Sequence, residues 1–257
     1  MAISAQKNSQ NFHEKLSRNL SETKYNIANN RSDRDSVFQL RYRCYRKENL
    51  IPSTSEQKFS DNYDDNPNSI IFGARTEDTI VGSIRIHLLS KETPLSPAYD
   101  TYRDILDPLV KNDETMIDPS RFVIDPLANR KPLVPFSVIR LACMMAEHFE
   151  ADWMLATVRP EHAAFYKRFC SLQPMAEARP YPGLSCPLML LGARNKEVQD
   201  HVFERYPIFS STLAERLALF GTERTIERFG IQPANDAENQ SAQHLDPAFR
   251  SPDASAI

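Results

Sequence analysis

Apolar residues recur along this chain with two different periods, and the switches between them mark out the elements. Lys24 to Ala28 alternates and predicts a short first strand. Val37, Leu40, Arg41, Cys44 and Tyr45 fall on one helical stripe, with Asp33 or Asp35 placed to cap it. The polar stretch Pro52 to Asn68 predicts a long loop. Ser69 to Arg75 and Thr79 to Leu88, joined through Glu77-Asp78, predict a hairpin. A short helix near Thr101 to Leu109, a strand from Ser120 to Asp125 and an amphipathic helix from Pro135 to Phe149 follow. After these come a buried strand Trp153 to Val158, a helix Pro160 to Cys170 and an apolar strand within Tyr181 to Leu191. Val198, Val202, Phe203, Leu213, Leu217, Phe220 and Ile226 give residues 196–230 a helical spacing.

Strands and helices in this order predict an α/β fold, a mixed central sheet flanked by helices. Residues 23–195 are expected to form the main domain and 196–230 a helical extension. The polar segments 1–22 and 231–257 are expected to be a flexible lead-in and a disordered tail.

Composition narrows the function classes. A net charge of -3 gives no support to a broad nucleic-acid-binding surface. The four cysteines, Cys44, Cys143, Cys170 and Cys186, include no C-x-x-C pair, so no zinc site and no disulfide framework is expected. No apolar run approaches the roughly 18 residues of a membrane span, and no secretion signal is read at the amino terminus, so a cytoplasmic protein is expected. The six glycines never form a dinucleotide or phosphate-loop motif.

Candidate chemistry lies in charged residues set among apolar ones. Arg85 shares a strand face with Ser83 and His87; there it is either the solvent face of an edge strand or a buried charge needing a partner. Asp61, Asp64 and Asp65 form an acidic loop that either holds an ammonium, pairs with Arg41 and Arg85, or is simply solvated. Asp118 and Arg121 open the central strand. A carboxylate beside arginines is expected to be ionised and suited to orienting or deprotonating an amine, or else to belong to an internal ion-pair network. His87, His148 and His162 are read as structural.

Taken together, Phe38 to Tyr45, Asp61-Asn62-Tyr63-Asp64, Val81-Gly82-Ser83-Ile84-Arg85 and Asp118-Pro119-Ser120-Arg121-Phe122 resemble the ordered signature of the autoinducer synthases and their relatives, the N-acyl amino acid synthases. In the homoserine-lactone synthases this signature reads as an arginine with an aromatic one helical turn later, D-x-[aromatic]-D, a strand arginine, and E-x-S-R-F. Two departures disfavour S-adenosylmethionine as acceptor: Leu50-Ile51-Pro52 stands where those enzymes carry a tryptophan, and Asp118 replaces the glutamate. The stretch Val158 to Tyr166 is closer to the N-acyl amino acid synthases.

The resemblance implies a GNAT-like N-acyltransferase with no bound cofactor. It would take a long-chain fatty acyl group from acyl carrier protein, carried on phosphopantetheine, to an amino acid such as tyrosine. It further implies substrate contacts by Arg41, Tyr45, Asp61, Asp64, Arg85 and Phe122, chemistry at Asp118 and Arg121, and protonation of the departing thiolate by Tyr166, for which core packing is the other reading. A homoserine-lactone synthase and a non-catalytic carrier-binding module are the alternatives. The segment Asp125 to Pro132 lacks the glycines a coenzyme A diphosphate would need. Arg130 and Lys131 within it are read either as facing the acidic carrier or as ordinary loop. Backbone N–H groups of the central strand are expected to stabilise the oxyanion. Ile139, Cys143 and Met144 are expected to shape an acyl tunnel or to be core.

Overall fold

A computed structural model describes residues 14–127, 133–221, 225 and 229. Arg130, Lys131 and the tail 231–257 lie outside them. Residues 14–22 form a helix, α1, whose Leu16 is buried in the main core and whose Asn19 side chain accepts from Ser137 (2.6 Å). This part of the expected lead-in is therefore packed. Its single apolar anchor is too sparse a signal for periodicity to register.

Next come β1 (Thr23–Ile27), α2 (Arg31–Lys47), a 3₁₀ turn at Asn62–Asp65, β2 (Ser69–Thr76), β3 (Thr79–Leu89), α3 (Pro97–Thr101) and α4 (Arg103–Lys111). They are followed by β4 (Met116–Ile124), α5 (Val134–His148), β5 (Trp153–Val158), α6 (Ala163–Phe169), β6 (Gln173–Pro180), β7 (Pro187–Arg194), α7 (Asn195–Arg205) and α8 (Leu213–Phe220). The cap of α2 is Asn30, which accepts from the Asp33 N–H at 2.9 Å; Asp33 itself sits in the first turn. The expected run over 196–230 is divided, because Pro207 opens a separate 3₁₀ turn and Thr212 caps a new helix with Glu215 in a capping box.

The seven strands form one sheet in the order β1-β2-β3-β4-β5-β7-β6. All neighbours are antiparallel except β4 and β5, which run parallel and pair only at Met116–Trp153 and Ile117–Met154. Beyond those pairs the two strands part. Pro119 falls in the parted region, where a missing N–H breaks no bond to β5.

One face of the sheet is covered by α5, with α7 and α8 alongside; Ile84, Ile86, Ile117, Val138 and Met145 share this core. At Gly82 an added Cβ would stand 2.9 Å from Val138, so glycine lets α5 approach β3 closely. The other face carries α2 over β3 and β4, and α3 and α4 over Leu89, Met116, Leu155 and Leu190. Strand β6 departs from expectation. It is half-exposed, begins and ends near Pro174 and Pro180, and pairs only with β7 through two register shifts.

Candidate active site

The charged residues of the four motifs converge beneath α2. Arg85 lies in the middle of the sheet and is fully buried, which excludes the edge-strand reading. Its Nε donates to Ser120 Oγ at 3.0 Å, and its Nη1 donates to Asp64 Oδ1 at 3.0 Å and to Asp61 Oδ1. Arg41 reaches the same Asp64 oxygen at 2.7 Å. Arg121 donates from Nε to Asp61 Oδ2 at 2.8 Å and from Nη2 to the Pro182 carbonyl at 2.8 Å. A continuous chain of charge-assisted bonds therefore runs from α2 through the 3₁₀ turn and β3 to the turn before β7.

The 3₁₀ turn presents both aspartates because Asp61 caps it, accepting from Tyr63 N–H, while Asp64 accepts from the Asp61 N–H. Burial opposes ionisation of Asp61, but Arg85 and Arg121 outweigh it and hold the carboxyl at about 2. Asp61 and Asp64 are thus engaged by arginines, and Asp64 and Arg41 are buried behind the site, so these groups hold other residues in place.

Arg121 reaches this network through a β-bulge. Ser83 pairs with Val123 but Arg85 pairs with Ser120, so β4 carries one extra residue, and Arg121 adopts the left-handed conformation at φ 51°. Simple alternation would put Arg121 on the face opposite Ser120; the bulge turns it back towards Asp61. Its guanidinium lies 4.9 Å from the centre of the Phe59 ring and 5.9 Å from that of Tyr45.

The gap between β4 and β5 opens into a cavity of about 490 Å³, within the range of small-molecule sites. Its outer rim carries Lys47, Glu48, Arg159 and His162. Its inner wall is apolar, with Ile139, Ala142, Cys143, Leu172 and Val198. Tyr45, Arg121, Phe122 and Tyr166 all line it. Met144 instead belongs to the core, where its sulfur accepts from Arg140 (3.2 Å). Burial pushes the thiols of Cys44 and Cys143 up to about 12 and raises those of Cys170 and Cys186, so the cysteines lining the cavity are protonated and poor nucleophiles.

Asp118 is fully buried on the same sheet face as Arg85. Burial drives its carboxyl up to about 6; the Ser96 hydroxyl, Arg85 and the Ala98 N–H pull it down only in part. It remains ionised at neutral pH but is a weaker acid than an exposed carboxyl, because burial outweighs Arg85, whose bonds go to Asp61, Asp64 and Ser120. Both Asp118 oxygens and Arg85 Nη2 are buried without a hydrogen-bond partner of ordinary geometry. A carboxyl tuned to about 6 is matched to accepting a proton near neutrality.

Sequence reasoning missed Phe59, Thr157, Tyr181 and Gly183. The Pro182-Gly183 dipeptide was the available signal. Gly183 has φ +72°, and a Cβ there would sit 3.0 Å from Arg121 Nη2. Gly183→Ala is expected to destabilise the protein by about 1 kcal/mol or more and to displace Arg121, lowering kcat; denaturant titration with steady-state kinetics checks both.

Among the described residues no group of three or more His, Cys, Asp or Glu is placed to hold a metal, and no helix is long and apolar enough to cross a membrane.

Comparisons with known proteins fit this geometry. No curated protein matches the chain by sequence. Among solved structures, the N-acyl amino acid synthase FeeM from uncultured soil microbes is similar, with a TM-score of 0.60 and 15% identity over 74% of this chain and 98% of that one. TofI, in a ternary complex with an inhibitor and MTA, gives 0.54 at 14% identity over 74% and 100%. The AHL synthase LasI gives 0.53 at 12% over 71% and 95%. These likenesses establish a GNAT-like α/β fold. The family model described as N-acyl amino acid synthase FeeM matches residues 36–194, which span all four motifs and the residues lining the cavity apart from Val198. The chain belongs to the FeeM family of N-acyl amino acid synthases and is an N-acyltransferase.

Proposed function

We propose that the protein transfers a fatty acyl group from acyl carrier protein to the α-amino group of an amino acid, tyrosine among the candidates, in the cytoplasm. The observation that carries this reading is an apolar cavity opening where β4 and β5 part, with Arg121 and Tyr181 in its wall and Asp118 and Arg85 buried on the neighbouring strand face. Arg85 Nη2, buried without a hydrogen-bond partner, is available to a zwitterion's carboxylate, and the Asp118 carboxyl, beside the Ser96 hydroxyl and the Ala98 N–H, to its ammonium. The acyl chain lies along Ile139, Ala142 and Cys143, and the pantetheine arm passes the rim between β4 and β5, with Tyr45 and Phe122 against the donor.

The residues after β4 favour the carrier-bound donor over coenzyme A. Asp125 is held there by Arg43 (2.9 Å) and by the Leu127 N–H (2.8 Å), so a carboxylate stands where a diphosphate would need donors. Arg130 and Lys131 are the proposed contacts to the acidic carrier.

In the reaction, Asp118 takes the proton from the bound ammonium and the free amine attacks the thioester carbonyl directly. The high thiol pKa values argue against an acyl-cysteine. Strand β4 backbone facing the cavity, and Tyr166 at its wall, are the proposed aids to the oxyanion and the leaving thiolate.

The test supplies long-chain acyl carrier protein or acyl-coenzyme A with single amino acids or S-adenosylmethionine, and identifies products by mass. An N-acyl amino acid formed from the carrier thioester supports the reading; an acyl-homoserine lactone, or binding without turnover, refutes it. Ala142→Leu narrows the inner wall and is expected to cut kcat/KM roughly tenfold for a donor two methylenes longer than the longest the variant accommodates, at about 0.8 kcal/mol per unburied methylene. A series of chain lengths checks this.

A further inference from the structure

The cavity wall contains a second tyrosine that none of the motifs covers. Tyr181 is buried at the cavity surface, on the same side of the sheet as Asp118, and is held from two directions. Thr157, on β5 just where that strand has left β4, donates from Oγ1 to the Tyr181 hydroxyl oxygen at 3.0 Å. At the backbone, Arg121 grips the next residue through the Pro182 carbonyl at 2.8 Å, and the Tyr181 carbonyl accepts from the Leu184 N–H at 3.2 Å.

The direction of the Thr157 bond matters. Because the phenol oxygen accepts, its own proton is left to point elsewhere, and the ring edge borders the cavity between the parted strands. Tyr181 also lies close enough to Asp118, Arg121 and Arg85 to feel their charges, which places it at the polar end of the cavity, where amine and thioester must meet. Tyr166 stands apart from it on α6, in edge contact with Phe165 and close to Cys170. Burial raises the Tyr181 phenol far above its ordinary range, so it stays protonated at every working pH.

We infer that Tyr181 is a further catalytic residue, whose O–H, aimed by Thr157, donates a hydrogen bond to the thioester carbonyl oxygen as that oxygen becomes negative. This rests on the acyl-transfer reading above. The amine nitrogen pair forms the C–N bond while the carbonyl π pair moves onto oxygen, facing Tyr181. Return of that pair breaks the C–S bond. Of the two protons that leave nitrogen, the ammonium proton taken by Asp118 returns to solvent and the second ends on the departing sulfur, so no co-reactant is needed and Tyr181 keeps its proton throughout. The network from Arg41 to Arg121 then gains a purpose: it fixes the turn that carries Tyr181.

The test is the kinetics of Tyr181→Phe and Thr157→Val in the full chain with acyl carrier protein and its amino acid. Loss of one oxyanion donor is expected to cut kcat by about 10²–10³-fold with little change in KM. Thr157→Val, which removes only the aim, is expected to lose roughly tenfold. Should Tyr181→Phe fail to fold, difluorotyrosine at position 181 keeps the shape and makes the still-protonated phenol a stronger donor; kcat is then expected to rise several-fold. Wild-type kcat in Tyr181→Phe, or a kcat unchanged by fluorination, overturns the inference and leaves the acyl-transfer reading standing. Absence of turnover by the unsubstituted protein with every donor and amine overturns both.

Discussion

Asp118→Asn is expected to abolish most turnover and to make the protein more stable. A positioned general base contributes about 10²–10⁴-fold, and kcat should fall by that factor. The stability gain follows from the direction of the shift. The carboxyl moves from 3.8 to about 6 on folding, chiefly through burial, so ionising it in the folded state costs roughly 3 kcal/mol. That cost is fully present above about 6, shrinks as pH falls towards 3.8, and is absent below. Asparagine removes it. At pH 8 the variant should melt roughly 5–10 °C above the parent, and at pH 3.5 the difference should vanish. In the parent enzyme kcat/KM should fall about tenfold per pH unit on the acid side of about 6 as Asp118 takes up its proton. Thermal melts at the two pH values, with a pH–rate profile, check all three. A variant less stable at pH 8 would show that Asp118 is an ion-pair member and no tuned base.

Asp61→Asn is expected to act in the opposite sense. Arg85 and Arg121 hold this carboxyl at about 2 against its burial, so its contribution to stability is present above 3.8 and lost as pH falls through about 2. Removing the charge leaves two buried guanidinium groups sharing a neutral partner, a class of change that costs about 3–5 kcal/mol. A fall in melting temperature of roughly 10 °C at pH 7 is expected. Because Arg121 holds Pro182 and Gly183, kcat should fall as well, by about 100-fold, the order set by one misplaced catalytic group. A double-mutant cycle with Arg121→Met checks the coupling: an interaction energy near zero would separate Asp61 from Arg121 in function.

These effects show where sequence and structure part company. The four motifs were legible because each placed a charged residue in an apolar strand or a capped turn, and such residues need partners. Pairing of Arg85 with Asp61 and Asp64 was one of three readings open before any coordinates, and the resemblance carried family and fold. The apolar stripe of α5 and the hairpin β2–β3 were legible from periodicity alone. What the sequence hid was geometry that breaks periodicity. The extra residue at Arg121 reverses a strand face, and nothing in Ser120-Arg121-Phe122 announces a left-handed arginine. The place of Tyr181 depends on how the turn before β7 folds back beside Thr157 and Arg121, so it was out of reach. Strand β6 was hidden by its edge position, its prolines and its polar composition. The raised pKa of Asp118 was not legible because it comes from burial, which a motif does not show, and the nearby arginine is bonded to other groups.

Every role assigned to these residues depends on a free amine attacking a carrier-bound thioester without an intermediate, in the gap between β4 and β5. The decisive experiment is a single-turnover mixture of the enzyme with one equivalent of long-chain acyl carrier protein and an amino acid, followed by intact mass. Direct attack requires that the carrier lose its acyl mass, that an N-acyl amino acid gain it, and that the enzyme mass never change. An acylated enzyme on the way, or a carrier that keeps its chain, would contradict it.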